Sequence, residues 1–283
     1  MPFVFSLPSN PSKEIHLREA TVADAIDFTG IDPDFEEEAT TLFLNKVQER
    51  DNYSDAREWT GEDRRYALFV YYLNTSKYDS IPLTFTYTNK DGEEERRTQL
   101  VPLSKIQDTY RPIDGDPMRD FAFNGRNVVV APLRGYDLEQ LEKQHAEIRA
   151  WQAMLDDPKR TPSEAEKRKI EHTLRLKRAA VLLNRIVSYI DIPALDTDSG
   201  SSKATRRPKV KAFVEALPMQ DFQDLIQRVG ECLGEMRHGL MSQYVDGKTV
   251  LLIPDVVPEG AEEGEAITLS YPFRFRDIIP TIF

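Results

Sequence analysis

Residues 58–103 constrain this chain more than any other stretch, because EWTGEDRRYALFVYYLN reads as a capped helix and IPLTFTYTNKDGEEERRTQLVPL as the hairpin that follows it. Thr60 and Asp63 form a capping pair: the threonine oxygen accepts from a free first-turn amide, and the carboxylate complements the helix dipole. The helix is therefore predicted to start at Gly61. Leu83, Phe85 and Tyr87 alternate with Thr84, Thr86 and Thr88 at the period of a strand with one buried face. Asn89, Lys90, Asp91 and Gly92 supply the positive-φ residues of a tight return. A helix feeding a hairpin builds a packing unit, and nothing in the stretch looks catalytic.

With 283 residues, 40% hydrophobic and 30% charged, the chain is expected to form one large domain with an insertion. A net charge of −11 argues against a dominant nucleic-acid or anionic-membrane surface, since phosphate binding needs concentrated Lys and Arg. Cys232 is the single cysteine, so no internal disulfide and no thiolate zinc pair is expected, and cytosolic synthesis follows. The opening residues show no basic region leading into a long apolar run, so no secretory signal is expected, and no run of about twenty apolar residues that could span a bilayer occurs.

Charge is unevenly distributed. The first 58 residues hold thirteen Asp or Glu against five Lys or Arg, with Asp32, Asp34, Glu36, Glu37 and Glu38 crowded before the helical run TTLFLNKVQ. These carboxylates serve either a solvated helix N-terminus or the docking of a basic partner. NVVVAPLR reads as a buried strand that gives the first unit its third strand, after the irregular loop YRPIDGDPMRDFAFNGR.

Residues 137–190 predict a long helical hairpin, with Leu138, Leu141, His145, Ile148, Gln152 and Leu155 at heptad steps on one arm. Leu176, Ala179, Leu183, Ile186 and Ile190 repeat the spacing on the other. Between Lys143 and Arg185 eleven basic residues face six acidic ones; Lys167, Lys169, Arg175, Lys177 and Arg178 line much of the second arm. That surface is either solvated or a contact for an acidic protein, including a second copy of this chain. Residues 191–208 are expected to be a flexible linker, and 209–283 to return as helices and strands that complete the domain begun by 1–136.

Signals for chemistry are sparse. His16, His145, His172 and His238 lack any spacing that would place two imidazoles on one metal, and no Gly-rich phosphate loop or GxSxG elbow occurs. Asp114 with Asp116, and Asp196 with Asp198, are carboxylate pairs in loops, able in principle to hold Mg²⁺ or to act as acid and base. Cys232 beside Leu233 reads as a small packed residue. No catalytic residue, metal site or cofactor is assigned.

Taken together, the helix EWTGEDRRYALFVYYLNTSKY, the threonine-rich hairpin, NVVVAPLR, ALPMQDFQDLIQRVGECLGEM and the ending YPFRFRDIIPTIF resemble the T-even phage baseplate hub assembly proteins. Asp63, Arg64, Leu68, Phe273, Phe275, Pro280, Ile282 and Phe283 lie nearest the family pattern, and the resemblance covers most of 15–135 and 205–283. The family's paired cysteines are missing here, so Phe85, Tyr87, Leu251 and Ile253 are expected to hold those loops by packing. The resemblance implies a non-enzymatic protein of a contractile-tail baseplate or of its assembly in the host cytoplasm, with hub subunits or the tape measure protein as partners.

The sequence thus predicts an α+β fold, a small mostly antiparallel sheet packed on helices, with the hairpin projecting. Candidate partner-binding residues are the basic five of the hairpin together with Phe273, Phe275, Ile278, Ile279, Ile282 and Phe283, since each large side chain left in water forgoes roughly 1.5–3 kcal/mol of burial. The competing reading is a metal-dependent or nucleic-acid-binding accessory protein whose basic hairpin touches phosphates; an oligomeric phage protein acting on the host is a third.

Overall fold

The computed structural model describes residues 2–32, 34–88, 92–157, 162–196, 202–245, 248–258 and 266–271. The fold is α+β, with helices and small antiparallel sheets, in two compact units: 1–113 with 238–283, and 114–237.

In chain order, unit 1 opens with β1 (Phe3–Leu7), β2 (Asn10–Leu17), α1 (Val22–Phe28), α2 (Glu36–Val47) and α3 (Gly61–Thr75). It continues through β3 (Ser80–Thr88), β4 (Glu94–Pro102) and α4 (Leu103–Gln107). Unit 2 contains β5 (Arg119–Phe123), β6 (Arg126–Val130), α5 (Gly135–Asp156), α6 (Glu164–Tyr189), β7 (Ile190–Asp191), α7 (Lys203–Glu215) and α8 (Met219–Glu235). The chain then rejoins unit 1 as β8 (Ser242–Val245), β9 (Lys248–Val256) and β10 (Ile267–Tyr271).

Unit 1 is organised by α3. Thr60 caps it, accepting from the Asp63 amide at 3.1 Å while the Asp63 carboxylate accepts from the Thr60 amide at 3.1 Å, so the helix starts at Gly61 as the sequence predicts. Leu68 and Phe69 of α3 are buried with Phe43 and Leu44 of α2 and with Ile15 and Leu17 of β2. Phe43 also meets Tyr71 edge to face, and the Tyr71 hydroxyl accepts from the Ala20 amide at 3.0 Å. β3 pairs with β4 from Ser80–Pro102 to Thr88–Glu94 in unbroken register. Of the turn between them only Gly92 lies within the described residues, at φ +80°. Leu251 and Ile253 are buried and Phe85 is partly so, whereas Tyr87 lies against Arg97 and Glu95 at the hairpin's far end.

The two chain crossings out of unit 1 are stapled. Arg111 and Gly239 exchange both backbone hydrogen bonds, at 2.9 and 2.7 Å. Gly239 sits at φ +71°, and a Cβ there would stand 3.2 Å from both the carbonyl oxygen and the Cβ of Glu62, so a side chain is disfavoured by backbone conformation and by space together.

Unit 2 corrects four expectations. NVVVAPLR does not extend the N-terminal sheet: its β6 lies between β5 and β7, with Val129 and Val130 paired to Asp191 and Ile190. The loop ahead of it contains β5. The insertion is therefore 114–237, wider than the hairpin alone, and it includes α7 and α8, which the sequence assigns to the returning domain. Part of the expected linker is helix, because Ser202 caps α7 by accepting from the Thr205 amide at 3.3 Å; residues 197–201 lie outside the described residues.

On α5 the predicted seam faces inward, with Leu138 and Leu141 buried and His145, Ile148, Gln152 and Leu155 half-buried. On the second arm Ile190 is buried and Leu183 and Ile186 are half-buried, but the first half of the α6 seam is rotated. The buried side of α6 carries Ile170, Leu174, Val181 and Val187, whereas Leu176 and Ala179 of the predicted seam are exposed. α6 has apolar residues on two sides, so the heptad pattern is ambiguous. Polar bonds fix the choice: Gln144 accepts from Asn184 at 2.9 Å, Glu147 pairs with Lys177 at 2.6 Å, and Gln152 accepts from Arg178 at 3.1 Å.

Candidate functional site

The outer side of α6 is the surface that stands out. Ser163 caps this helix in a reciprocal box with Glu166, and Leu176 and Leu182 are 59% and 65% exposed, with exposed Ala179, Arg175 and Arg178 around them. Such apolar side chains on a long helix, bordered by cations, form a surface that gains by covering and selects for negative charge.

Of the five basic residues named on this helix, Lys167, Lys169, Arg175 and Arg178 are exposed and Lys177 is half-buried. Lys177 and Arg178 also bond back to α5 through Glu147 and Gln152, so part of their hydrogen-bonding capacity serves the hairpin. Phe273, Phe275, Ile278, Ile279, Ile282 and Phe283 lie outside the described residues.

The acidic N-terminal run is not a docking face for a foreign partner along its whole length. Glu36 and Glu37 are buried, and Glu37 meets the chain's own Arg64 and Arg65, themselves buried on α3. The Arg64 guanidinium donates to the Glu37 carbonyl and, at 3.1 Å, to the Thr41 hydroxyl; Arg65 pairs with the Glu37 carboxylate. Charges so deep persist only when paired and hydrogen-bonded. EDRR at a helix start reads as a solvated surface, and only the near-complete burial of α3 reveals otherwise.

A second polar cluster surrounds the α3 cap. Asp63 accepts from the Ser9 amide at 2.8 Å and the Ser9 hydroxyl at 2.5 Å, and the Thr60 hydroxyl meets His238 Nε2 at 2.8 Å. Every contact ties the turn after β1, the start of α3 and the returning chain at His238 to one another. Ser9 bonds to a carboxylate and not to the imidazole, so the cluster lacks a serine positioned against a base.

Asp114 and Asp116 are exposed. The backbone carbonyls of Asp114 and Asp116 accept from Arg119, and Asp196 pairs with Lys209 at 3.0 Å; Asp198 lies outside the described residues. Cys232 is half-buried, and burial pushes its thiol up, with Glu235 and Glu231 adding to the shift. Among the described residues no three His, Cys, Asp or Glu side chains converge as a metal site, and no helix is long and apolar enough to cross a membrane.

One feature escapes sequence reasoning: a cleft of about 320 Å³ within unit 2, lined by residues of α5, α6 and α7. The i,i+4 glutamines Gln140 and Gln144, and Pro208 inside a helix, are its sequence traces, visible only once the three helices are brought together. The chain matches no family model, no curated protein and no solved structure.

Proposed function

We propose that this chain is a non-enzymatic component, or an assembly factor, of a contractile-tail baseplate, working by protein–protein binding in the host cytoplasm. The observation that carries the binding part is the exposed side of α6, where Leu176 and Leu182 stand in solvent among cationic side chains. The phage context rests on the sequence resemblance, whose residues Asp63, Arg64 and Leu68 are fully buried side chains of α3 in unit 1. The partner fitted to this surface is acidic, with an apolar stripe of its own, and hub subunits and the tape measure protein are the expected candidates.

Co-expression with hub and tape measure proteins of the same gene neighbourhood, followed by affinity capture and mass determination, tests the reading. Capture that is lost with Leu176→Glu and Leu182→Glu, in protein that melts as the parent does, supports it. A parent chain that stays alone as a folded monomer overturns it. Removing residues 273–283 in parallel asks whether the C-terminal aromatic segment contributes, and presence in purified virions separates a structural component from a transient chaperone.

The nucleic-acid reading draws on exposed Lys167, Lys169 and Arg175. It requires DNA or RNA binding that weakens steeply with salt, which a net charge of −11 disfavours.

A further inference from the structure

We infer that the cleft between α5, α6 and α7 is a binding site for a small amphiphilic anion, a carboxylate or phosphate head on a short apolar body. The inference stands apart from the baseplate reading, because none of the cleft residues belongs to the exposed side of α6 invoked there.

The lining divides by chemistry. Leu141 and Val187, both nearly inaccessible, form an apolar floor, and Ala204 and Pro208 of α7 add apolar wall. A volume of about 320 Å³ is at the lower end of what holds small ligands. Around this floor the polar groups are mostly donors. Gln140 accepts from Arg207 Nη1 at 3.0 Å, and Gln144 accepts from Asn184 at 2.9 Å. With their side-chain oxygens so engaged, the NH₂ groups of both glutamines remain as donors.

Cationic groups complete the rim. Arg207 is held by the buried carboxylate of Asp137, yet its buried Nε makes no hydrogen bond among the described residues. Lys211 lines the same cleft and makes no ion pair among them. Lys203, one turn before Arg207 on α7, is spent inward on the Ser188 carbonyl at 2.7 Å. The Arg207–Asp137 pair is neutral overall, so Lys211 leaves a net positive charge beside a set of donors. Donors and an uncompensated cation around an apolar floor recognise an anion with a hydrophobic tail; a cationic amphiphile would meet like charge there.

Isothermal titration of the full chain with octanoate, octyl phosphate, octylamine and octanol tests this, with amide chemical shifts to locate the contact. The expected result is saturable binding of one or both anions, with shifts concentrated at 140–144, 184–188 and 204–211, and no comparable binding of octylamine or octanol. Preference between octanoate and octyl phosphate identifies the head group. Lys211→Glu is expected to weaken the anion about tenfold, the scale of one charge-assisted contact, while Lys211→Arg retains it. Lys211 has no ion-pair partner among the described residues to lose, so a parent-like melting curve is expected for both variants. Absence of binding by either anion, equal binding of octylamine, or indifference to Lys211→Glu overturns the inference.

Discussion

Both units contain many charges, but they use them in opposite directions. In unit 1, Arg64, Arg65 and Glu37 are almost inaccessible and bond to one another across α2 and α3. In unit 2, Lys177 and Glu147 meet across the hairpin at 32% and 63% exposure, and further cations on α6 face solvent. A buried ion network adds little net stability but selects one arrangement of helices, since any other leaves an unpaired charge in the core. Surface pairs cost little and hold little. The difference places structural specificity in unit 1 and leaves accessible charges in unit 2.

The two tryptophans fall one to each unit, Trp59 in unit 1 and Trp151 on α5 of unit 2, so single-tryptophan variants report each unit separately. The largest effect is expected from Glu37→Gln, which removes the carboxylate charge that faces two buried guanidinium groups. It should cost about 3–5 kcal/mol in urea unfolding read at Trp59, with the Trp151 transition unmoved. An effect below about 1 kcal/mol would break the contrast, because exposed pairs are worth that much.

Next is Leu174→Ala on the buried side of α6, expected to cost about 2–5 kcal/mol at Trp151 alone. Asp24→Asn is smaller. The Arg18 guanidinium, bonded at 2.6 Å, holds the Asp24 carboxyl well below the usual carboxylate range, helped by hydrogen bonds from Thr21 and opposed by desolvation. A depressed folded pKa stabilises above the unfolded value of about 4, and the contribution is lost as pH falls below it. Asp24→Asn should therefore cost about 1 kcal/mol at neutral pH, because Arg18 is partly solvated and the α1 cap is weakened, and should flatten the acid limb of the Trp59 stability profile. A limb as steep as the parent's would assign acid sensitivity elsewhere. Leu176→Ala, two residues from Leu174 but exposed, should shift the Trp151 transition by less than about 0.5 kcal/mol. A larger shift would mean that the outer side of α6 is packed and not free for a partner.

What the sequence reveals follows the same division. The α3 start is legible because its cap is local: Thr60 and Asp63 are three residues apart and need no tertiary knowledge. The β3–β4 hairpin is legible from threonine alternation for a similar reason. The position of β6 is not, since Val129 pairs with Asp191 far along the chain and a β-branched run does not name its neighbour. The α6 seam fails because two apolar sides compete, and bonds such as Asn184 to Gln144 decide between them. The cleft is less legible still, for its donors come from three helices and only the side-chain oxygens already taken show which groups are left over.

The Arg111–Gly239 staple has a consequence for descent as well as for folding. It holds the departing and returning strands of chain side by side in unit 1, so the ends of everything between them are fixed at one short span. Closure entropy grows only with the logarithm of the excursion, and a longer, shorter or different insert would burden unit 1 almost equally. Unit 1 is in this sense a socket: the unit inserted at 114–237 could differ widely in length and content while the socket's core residues stay unchanged.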